Sequence, residues 1–235
     1  MKVVILAGGK GTRLGEHTSK VPKPMVKIGK LPILQHIINI FIKYGVCDFY
    51  IAAGYKKEVI KRYFKKNKNK NKNINVNIVD TGINSLTAKR LRLLKKFFCK
   101  NENFFMTYGD GLSNINLRKL LNFHINSKKV ATLTAVRPPA RFGELNIINN
   151  LVKIFNEKPQ LSDGWINGGF FVLNYKIFDY LKNNKNIMFE REPIINLVKK
   201  KQLMAYKHNG FWTCMDTPRD KDKIEKIIKL KKKLW

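Results

Sequence analysis

Val3-Val4-Ile5-Leu6-Ala7-Gly8-Gly9-Lys10-Gly11-Thr12-Arg13-Leu14 decides the fold. A continuous apolar run broken at once by closely spaced glycines is the pattern of a buried strand that ends in a tight loop. Glycines leave backbone N–H groups free to approach an anion, and a hydroxyl (Thr12) and a guanidinium (Arg13) follow immediately. The segment therefore reads as a phosphate cradle. It is not a dinucleotide fingerprint, because Leu14 stands where G-x-G-x-x-G needs its third glycine counted from Gly9. Nor is it a Walker loop, since Gly9-Lys10 is followed by Gly11 and Gly29-Lys30 by Leu31. Further on, Pro22-Lys23-Pro24 places one lysine between two prolines, which pin the backbone and fix where its ammonium points.

Working outward from this strand, helical and strand patterns alternate. Apolar spacing predicts helices over 33–44, 56–66, 87–98 and 117–127, and strands over 48–53, 74–79, 103–108 and 130–136. A hairpin is expected from strands over 144–148 and 151–155 around Asn149-Asn150. A strand over 165–173 is interrupted by Gly168-Gly169, and helices over 176–182 and 192–200, a strand over 203–207 and a basic helix after Thr217 close the chain. This succession predicts an α/β fold with a mostly parallel sheet covered on both faces, whose ligands sit at strand carboxyl ends. Asp110, in Gly109-Asp110-Gly111, falls at such an end.

The 235 residues fit a single domain. No stretch approaches the ~18 consecutive apolar residues of a membrane span. Met1-Lys2 leads into glycines rather than a cleavage motif, so no signal peptide is expected. Cys47, Cys99 and Cys214 are odd in number and lack C-x-x-C spacing, which points to a reducing cytoplasm rather than disulfides or a metal cluster. His17, His36, His124 and His208 show no ligand spacing and read as structural. The net charge of +31 raises nucleic-acid binding as a rival function. Lysine outnumbers arginine throughout, however, and the densest block, Lys65 to Asn73, has no aromatic residue on which a base could stack. That block reads as a solvated low-complexity loop, and no nucleic-acid or membrane partner is expected.

LAGGKGTRL followed by KPM resembles the sugar-1-phosphate nucleotidyltransferases. VDTG (79–82), SLT with RL (Ser85 to Thr87, Arg90, Leu91), TYGDG (107–111), FNEKP (155–159), INGGFFVL (166–173) and GFWTCMDTPRDK (210–221) resemble their glucose-1-phosphate cytidylyltransferase branch. The resemblance implies a Rossmann-like, three-layer α/β/α (GT-A-like) fold with a mixed, mostly parallel sheet, shared by a nucleotide-binding half over about 1–115 and a sugar-phosphate half over about 116–235. It implies attack by a sugar-1-phosphate oxygen on the α phosphorus of CTP, with Mg²⁺, glucose 1-phosphate as acceptor, and a homo-oligomer. Arg13 and Lys23 would be catalytic, Arg13 holding the leaving pyrophosphate and Lys23 neutralising charge at the reacting phosphate. The nucleotide would be bound by Leu6, Ala7, Gly8, Gly9, Gly11, Thr12, Arg13, Ser85, Thr87, Arg90, Gly109 and Asp110. The sugar phosphate would be bound by Lys23, Tyr108, Glu157, Lys158, Asn167, Gly168, Gly169 and Trp212, and the metal by Asp110 and Asp216. Read without the resemblance, Gly-Asp-Gly is a turn and Met215-Asp216-Thr217-Pro218 a helix N-cap. Ala88-Lys89 replaces a Gly-Gly usual in the cytidylyltransferase branch, and the Lys/Asn region is shorter than in that branch. UTP, dTTP and GTP therefore stay open as nucleotides, as does the subunit arrangement.

Overall fold

The computed structural model describes residues 1–67, 73–137, 144–148, 151–156, 164–181, 186–230 and 234–235. The N-terminal apolar run is β1 (Lys2–Ala7), followed by a short helix α1 (His17–Lys20) and a small hairpin, β2 (Lys27–Ile28) and β3 (Leu31–Pro32). Then come α2 (Ile33–Ile42), β4 (Asp48–Ala53), α3 (Lys57–Lys66), β5 (Asn75–Asp80), α4 (Thr87–Leu93), β6 (Asn103–Tyr108), β7 (Gly111–Ser113), α5 (Leu117–Ser127) and β8 (Ala131–Val136). The chain continues through the antiparallel pair β9 (Glu144–Ile148) and β10 (Leu151–Asn156), then β11 (Ile166–Asn174), α6 (Glu192–Lys199), β12 (Leu203–His208), β13 (Trp212–Cys214) and α7 (Pro218–Lys229).

Seven strands form one sheet in the order β12-β8-β11-β6-β1-β4-β5. Every pairing is parallel except those of β11 with β6 and with β8. The sheet is thus mostly parallel, as the alternating pattern predicts, and mixed, as the resemblance implies. Strand periodicity sorts the core into two faces. Val3 and Ile5 of β1 pack with residues of α2, α3, α5 and α7 on one side. Val4 and Leu6 pack with Ala88 and Leu91 of α4, Leu197 of α6 and the turn around Phe178 on the other. Helices therefore cover both faces of the sheet.

Two expected helices differ. The helix expected over 87–98 stops at Leu93 and tightens into a 3₁₀ turn at Lys95–Phe97, because Phe98 folds back onto Phe104 and Tyr50, with ring centroids 4.2 and 5.6 Å apart. The segment after β11 is a 3₁₀ helix, Tyr175–Leu181, rather than an α-helix. The interruption expected at Gly168-Gly169 is present as a register shift of β11 against β8 between Asn167 and Phe171. A further feature was not expected at all: β7 and β13 pair antiparallel, Cys214 opposite Gly111 and Trp212 opposite Ser113, as a separate small sheet. The expected helix boundary at Lys66 holds, whereas residues 68–72 of the basic block and the hairpin turn Asn149-Asn150 lie outside the described residues.

Candidate active site

The glycine loop after β1 packs against the Pro-flanked lysine. Gly11 is left-handed (φ 67°), and a Cβ there would lie 2.7 Å from Lys23 Cβ, so glycine is required for the two segments to approach. Pro22 is extended, and the 3₁₀ turn Lys23–Met25 then aims the lysine side chain inward. Its Nζ lies 2.5 Å from Asp110 Oδ2 and also pairs with Asp216 Oδ1, while Arg13 Nη1 is 3.2 Å from Asp216 Oδ2. Burial pulls the Lys23 pKa down, but the Asp110 and Asp216 carboxylates outweigh it and the net direction is up. The ammonium stays charged.

The small sheet brings the aspartates together. β6 ends at Tyr108, the chain turns through Gly109-Asp110 into β7, and Met215 N–H donates to the Asp110 carbonyl over 2.9 Å just beyond β13. Thr217, not Asp216, is the N-cap of α7. Its hydroxyl accepts from Asp220 N–H, and Asp220 accepts in turn from Thr217 and from Asp216 N–H at 3.1 Å. This capping box fixes the Asp216 backbone and leaves its carboxylate to face Lys23. Among the described residues no group of three or more His, Cys, Asp and Glu is arranged to hold a metal, so Asp110 and Asp216 stand as a pair of hard oxygen donors.

Two cavities meet at this centre. The first, about 320 Å³, is lined by Leu6, Ala7, Gly8, Gly9, Gly11, Ser85, Thr87, Arg90 and Gly109, all expected to bind nucleotide. The second, about 230 Å³, is lined by Asn167, Gly168, Gly169, Trp212 and Asp216, together with Cys214. Arg13, Tyr108 and Asp110 line both. Trp212 Nε1 donates to the Gly168 carbonyl over 2.7 Å, which holds the indole against the glycine bulge. Thr12 is exposed and lines neither cavity, and Glu157 and Lys158 lie outside the described residues.

Arg90 takes a place that its sequence context did not reveal. It is buried (4 % exposed) beneath the loops, donating to Thr81 Oγ1 at 2.6 Å and to the carbonyls of Gly82 and Gly8 at 2.9 Å. A Cβ on Gly8 would collide with this guanidinium, so Gly8 makes room for Arg90 as well as for an anion. Leu86 and Met188 also line the first cavity without having been singled out in sequence. Ala88 and Lys89, the departure from the branch pattern, line a separate groove with Arg92, Tyr180 and Lys200 instead. Neither lines the first cavity.

A glycine-loop cavity and a second cavity thus meet at a lysine held between two aspartates, at the carboxyl edge of the sheet where ligands of such folds bind. Residues 2–221 match the Nucleotidyl transferase family, and the chain belongs to it. Over its whole length it is 42 % identical to a glucose-1-phosphate cytidylyltransferase of Salmonella typhimurium, 98 % of which is covered. It is 33 % identical to a Saccharomyces cerevisiae mannose-1-phosphate guanyltransferase over 94 % of this chain and 62 % of that protein. The crystal structure of HddC from Yersinia pseudotuberculosis in complex with GMP-PN shares the fold, with a TM-score of 0.73 at 24 % identity over 97 % of this chain and 99 % of that one. No helix among the described residues is long and apolar enough to cross a membrane.

Proposed function

We propose that this nucleotidyltransferase joins CTP and glucose 1-phosphate into CDP-glucose and pyrophosphate. The observation that carries the reading is the Lys23, Asp110 and Asp216 centre at the junction of the two cavities. CTP lies in the glycine-loop cavity and the sugar phosphate in the cavity walled by Asn167, Gly168, Gly169 and Trp212. A phosphate oxygen of the sugar attacks the α phosphorus, a new P–O bond forms, and the bond to the bridging oxygen breaks to release pyrophosphate. Both partners are anions, so the work of the site is charge neutralisation and alignment. Lys23 presents its ammonium to the reacting phosphate, and Arg13, mostly exposed at the cavity mouth, takes the leaving pyrophosphate with a forked contact.

Asp110 and Asp216 fit a magnesium site, because their paired carboxylates already enclose one cation, the Lys23 ammonium. When bound there, Mg²⁺ would offset the negative charge of the triphosphate. The position of Ala88-Lys89 outside the lining of the nucleotide cavity, with the 42 % identity to a cytidylyltransferase, favours CTP over the other nucleotides.

The test is pyrophosphate release with CTP, UTP, dTTP and GTP, each against glucose 1-phosphate and mannose 1-phosphate. A polar base site left unpaired by the wrong base discriminates strongly, so CTP with glucose 1-phosphate is expected to exceed every other pair by about tenfold or more in kcat/KM. Equal use of CTP and UTP, or a preference for GTP with mannose 1-phosphate, would overturn the assignment.

A further inference from the structure

The segment Asn186 to Glu190 crosses from the β11 side of the molecule onto the start of α4. Ala88 N–H donates to the Ile187 carbonyl at 3.2 Å, Leu86 N–H to Asn186 Oδ1 at 2.7 Å, and Phe189 N–H to Thr87 Oγ1 at 2.7 Å. The segment thereby satisfies helix-terminal donors of α4 and carries Met188 into the wall of the nucleotide cavity. At its end, Glu190 accepts two hydrogen bonds with one carboxylate. Oε2 takes the Thr87 hydroxyl at 2.8 Å and Oε1 takes the Tyr108 phenol. Thr87 lines the nucleotide cavity, and Tyr108 lines both cavities.

We infer that Glu190 is a positioning residue that fixes the shared wall of the two cavities, acting through Tyr108 on the sugar-phosphate side and through Thr87 on the nucleotide side. Its chemistry suits the role. Each of its two oxygens takes a different hydroxyl, so a glutamine in the same pose would set an NH₂ donor against one of them. Thr87 Oγ1 already accepts from Phe189 N–H, so its proton has one useful destination, Glu190. Tyr108 donates to Glu190 and also pairs with the side-chain amide of Asn167. The seam between the cavities is one hydrogen-bonded chain from the α4 N-terminus to the sugar pocket.

The choice of substrates rests on the proposed reaction, so the experiment uses whichever nucleotide and sugar phosphate the wild type turns over best; failure of the CTP assignment then leaves this comparison intact. Glu190→Gln, Tyr108→Phe and the double variant are compared with wild type by melting temperature and by KM for each substrate separately. Losing a hydrogen bond to a charged group corresponds to about tenfold, so Glu190→Gln is expected to raise both KM values by about tenfold. Tyr108→Phe is expected to raise the sugar-phosphate KM alone. The double variant is expected to show a sugar-phosphate KM no worse than Glu190→Gln, because both changes break the same link. Unchanged KM values in Glu190→Gln, or effects of the two changes that multiply, would overturn the inference. If Glu190→Gln does not fold, Tyr108→Phe removes the same contact from its other end, and an unchanged sugar-phosphate KM there overturns it equally.

Discussion

Asp110 and Asp216 face one another across a single backbone hydrogen bond, Met215 N–H to the Asp110 carbonyl at 2.9 Å, with the Lys23 ammonium between their carboxylates. Two like charges brought this close repel unless a cation lies between them. The small sheet of β7 and β13 sets the spacing, and Lys23 is the cation that this structure places there.

Lys23→Met removes that cation while keeping length and apolar stem. If the ammonium acts mainly on charge in the transition state, kcat is expected to fall by ~10²-fold or more. Circular dichroism should stay that of the wild type. The raised pKa also fixes a pH sign. A lysine held above its unfolded value of 10.5 contributes stability that is present below that pH and lost as pH rises through the higher folded value. Denaturant midpoints of wild type and Lys23→Met should therefore converge only in alkali beyond 10.5.

The glycine loop offers a paired test. Gly11→Ala places a Cβ 2.7 Å from Lys23 Cβ at a φ of 67°, whereas a Cβ on Gly9 meets nothing within 4 Å. A left-handed alanine costs about 1–2 kcal/mol before any clash, so Gly11→Ala should lower the urea midpoint clearly. Gly9→Ala should leave that midpoint unchanged.

Neither Ala88 nor Lys89 lines the nucleotide cavity. Replacing both with glycine should leave the order of nucleotide preference as in wild type. The change deletes the buried Ala88 methyl and loosens the first turn of α4, so the double variant should melt lower all the same. A switch of preferred base would place this pair in the base site.

His124 lies buried at 2 % exposure beside Thr132 Oγ1, and burial lowers its pKa to about 4. The folded protein holds it neutral while the unfolded chain protonates near 6.5. Its contribution is complete above that value and is lost as pH falls toward the folded value, amounting to about 3 kcal/mol over the interval. His124→Gln should flatten this part of the stability profile between pH 6.5 and about 4.

The sequence made the sheet legible because β1, β4 and β6 are apolar runs buried on both faces, and because the glycine and proline punctuation marks where each stops. It exposed the glycine side of the first cavity for the same reason, since Gly8 to Arg13 follow β1, whereas Ser85, Thr87 and Arg90 came only from the resemblance. Strands β7 and β13 were invisible: three residues carry no measurable alternation, and their pairing joins distant segments. Without them, the meeting of Asp110 and Asp216 could be expected from the resemblance but not built from the residues. Glu190 escaped for a related reason. It sits in an irregular stretch after Ile187-Met188-Phe189, and its role depends on hydroxyls of Thr87 and Tyr108 far away in the chain. Arg90, a nucleotide contact only by the resemblance, lines the first cavity while its guanidinium is held by the carbonyls of Gly8 and Gly82, a structural role that no local pattern announces.

The reaction centre is tested most directly by metal binding in the presence of nucleotide. Mn²⁺ stands in for Mg²⁺ and is counted by the loss of its free electron paramagnetic resonance signal, in wild type, Asp110→Asn and Asp216→Asn, each with CTP. If the two carboxylates hold one divalent ion against the triphosphate, either variant is expected to weaken nucleotide-dependent Mn²⁺ binding by about tenfold or more, and kcat should fall with it. Wild-type Mn²⁺ affinity in both variants would contradict a shared metal at Asp110 and Asp216 and move the reaction away from the junction of the two cavities.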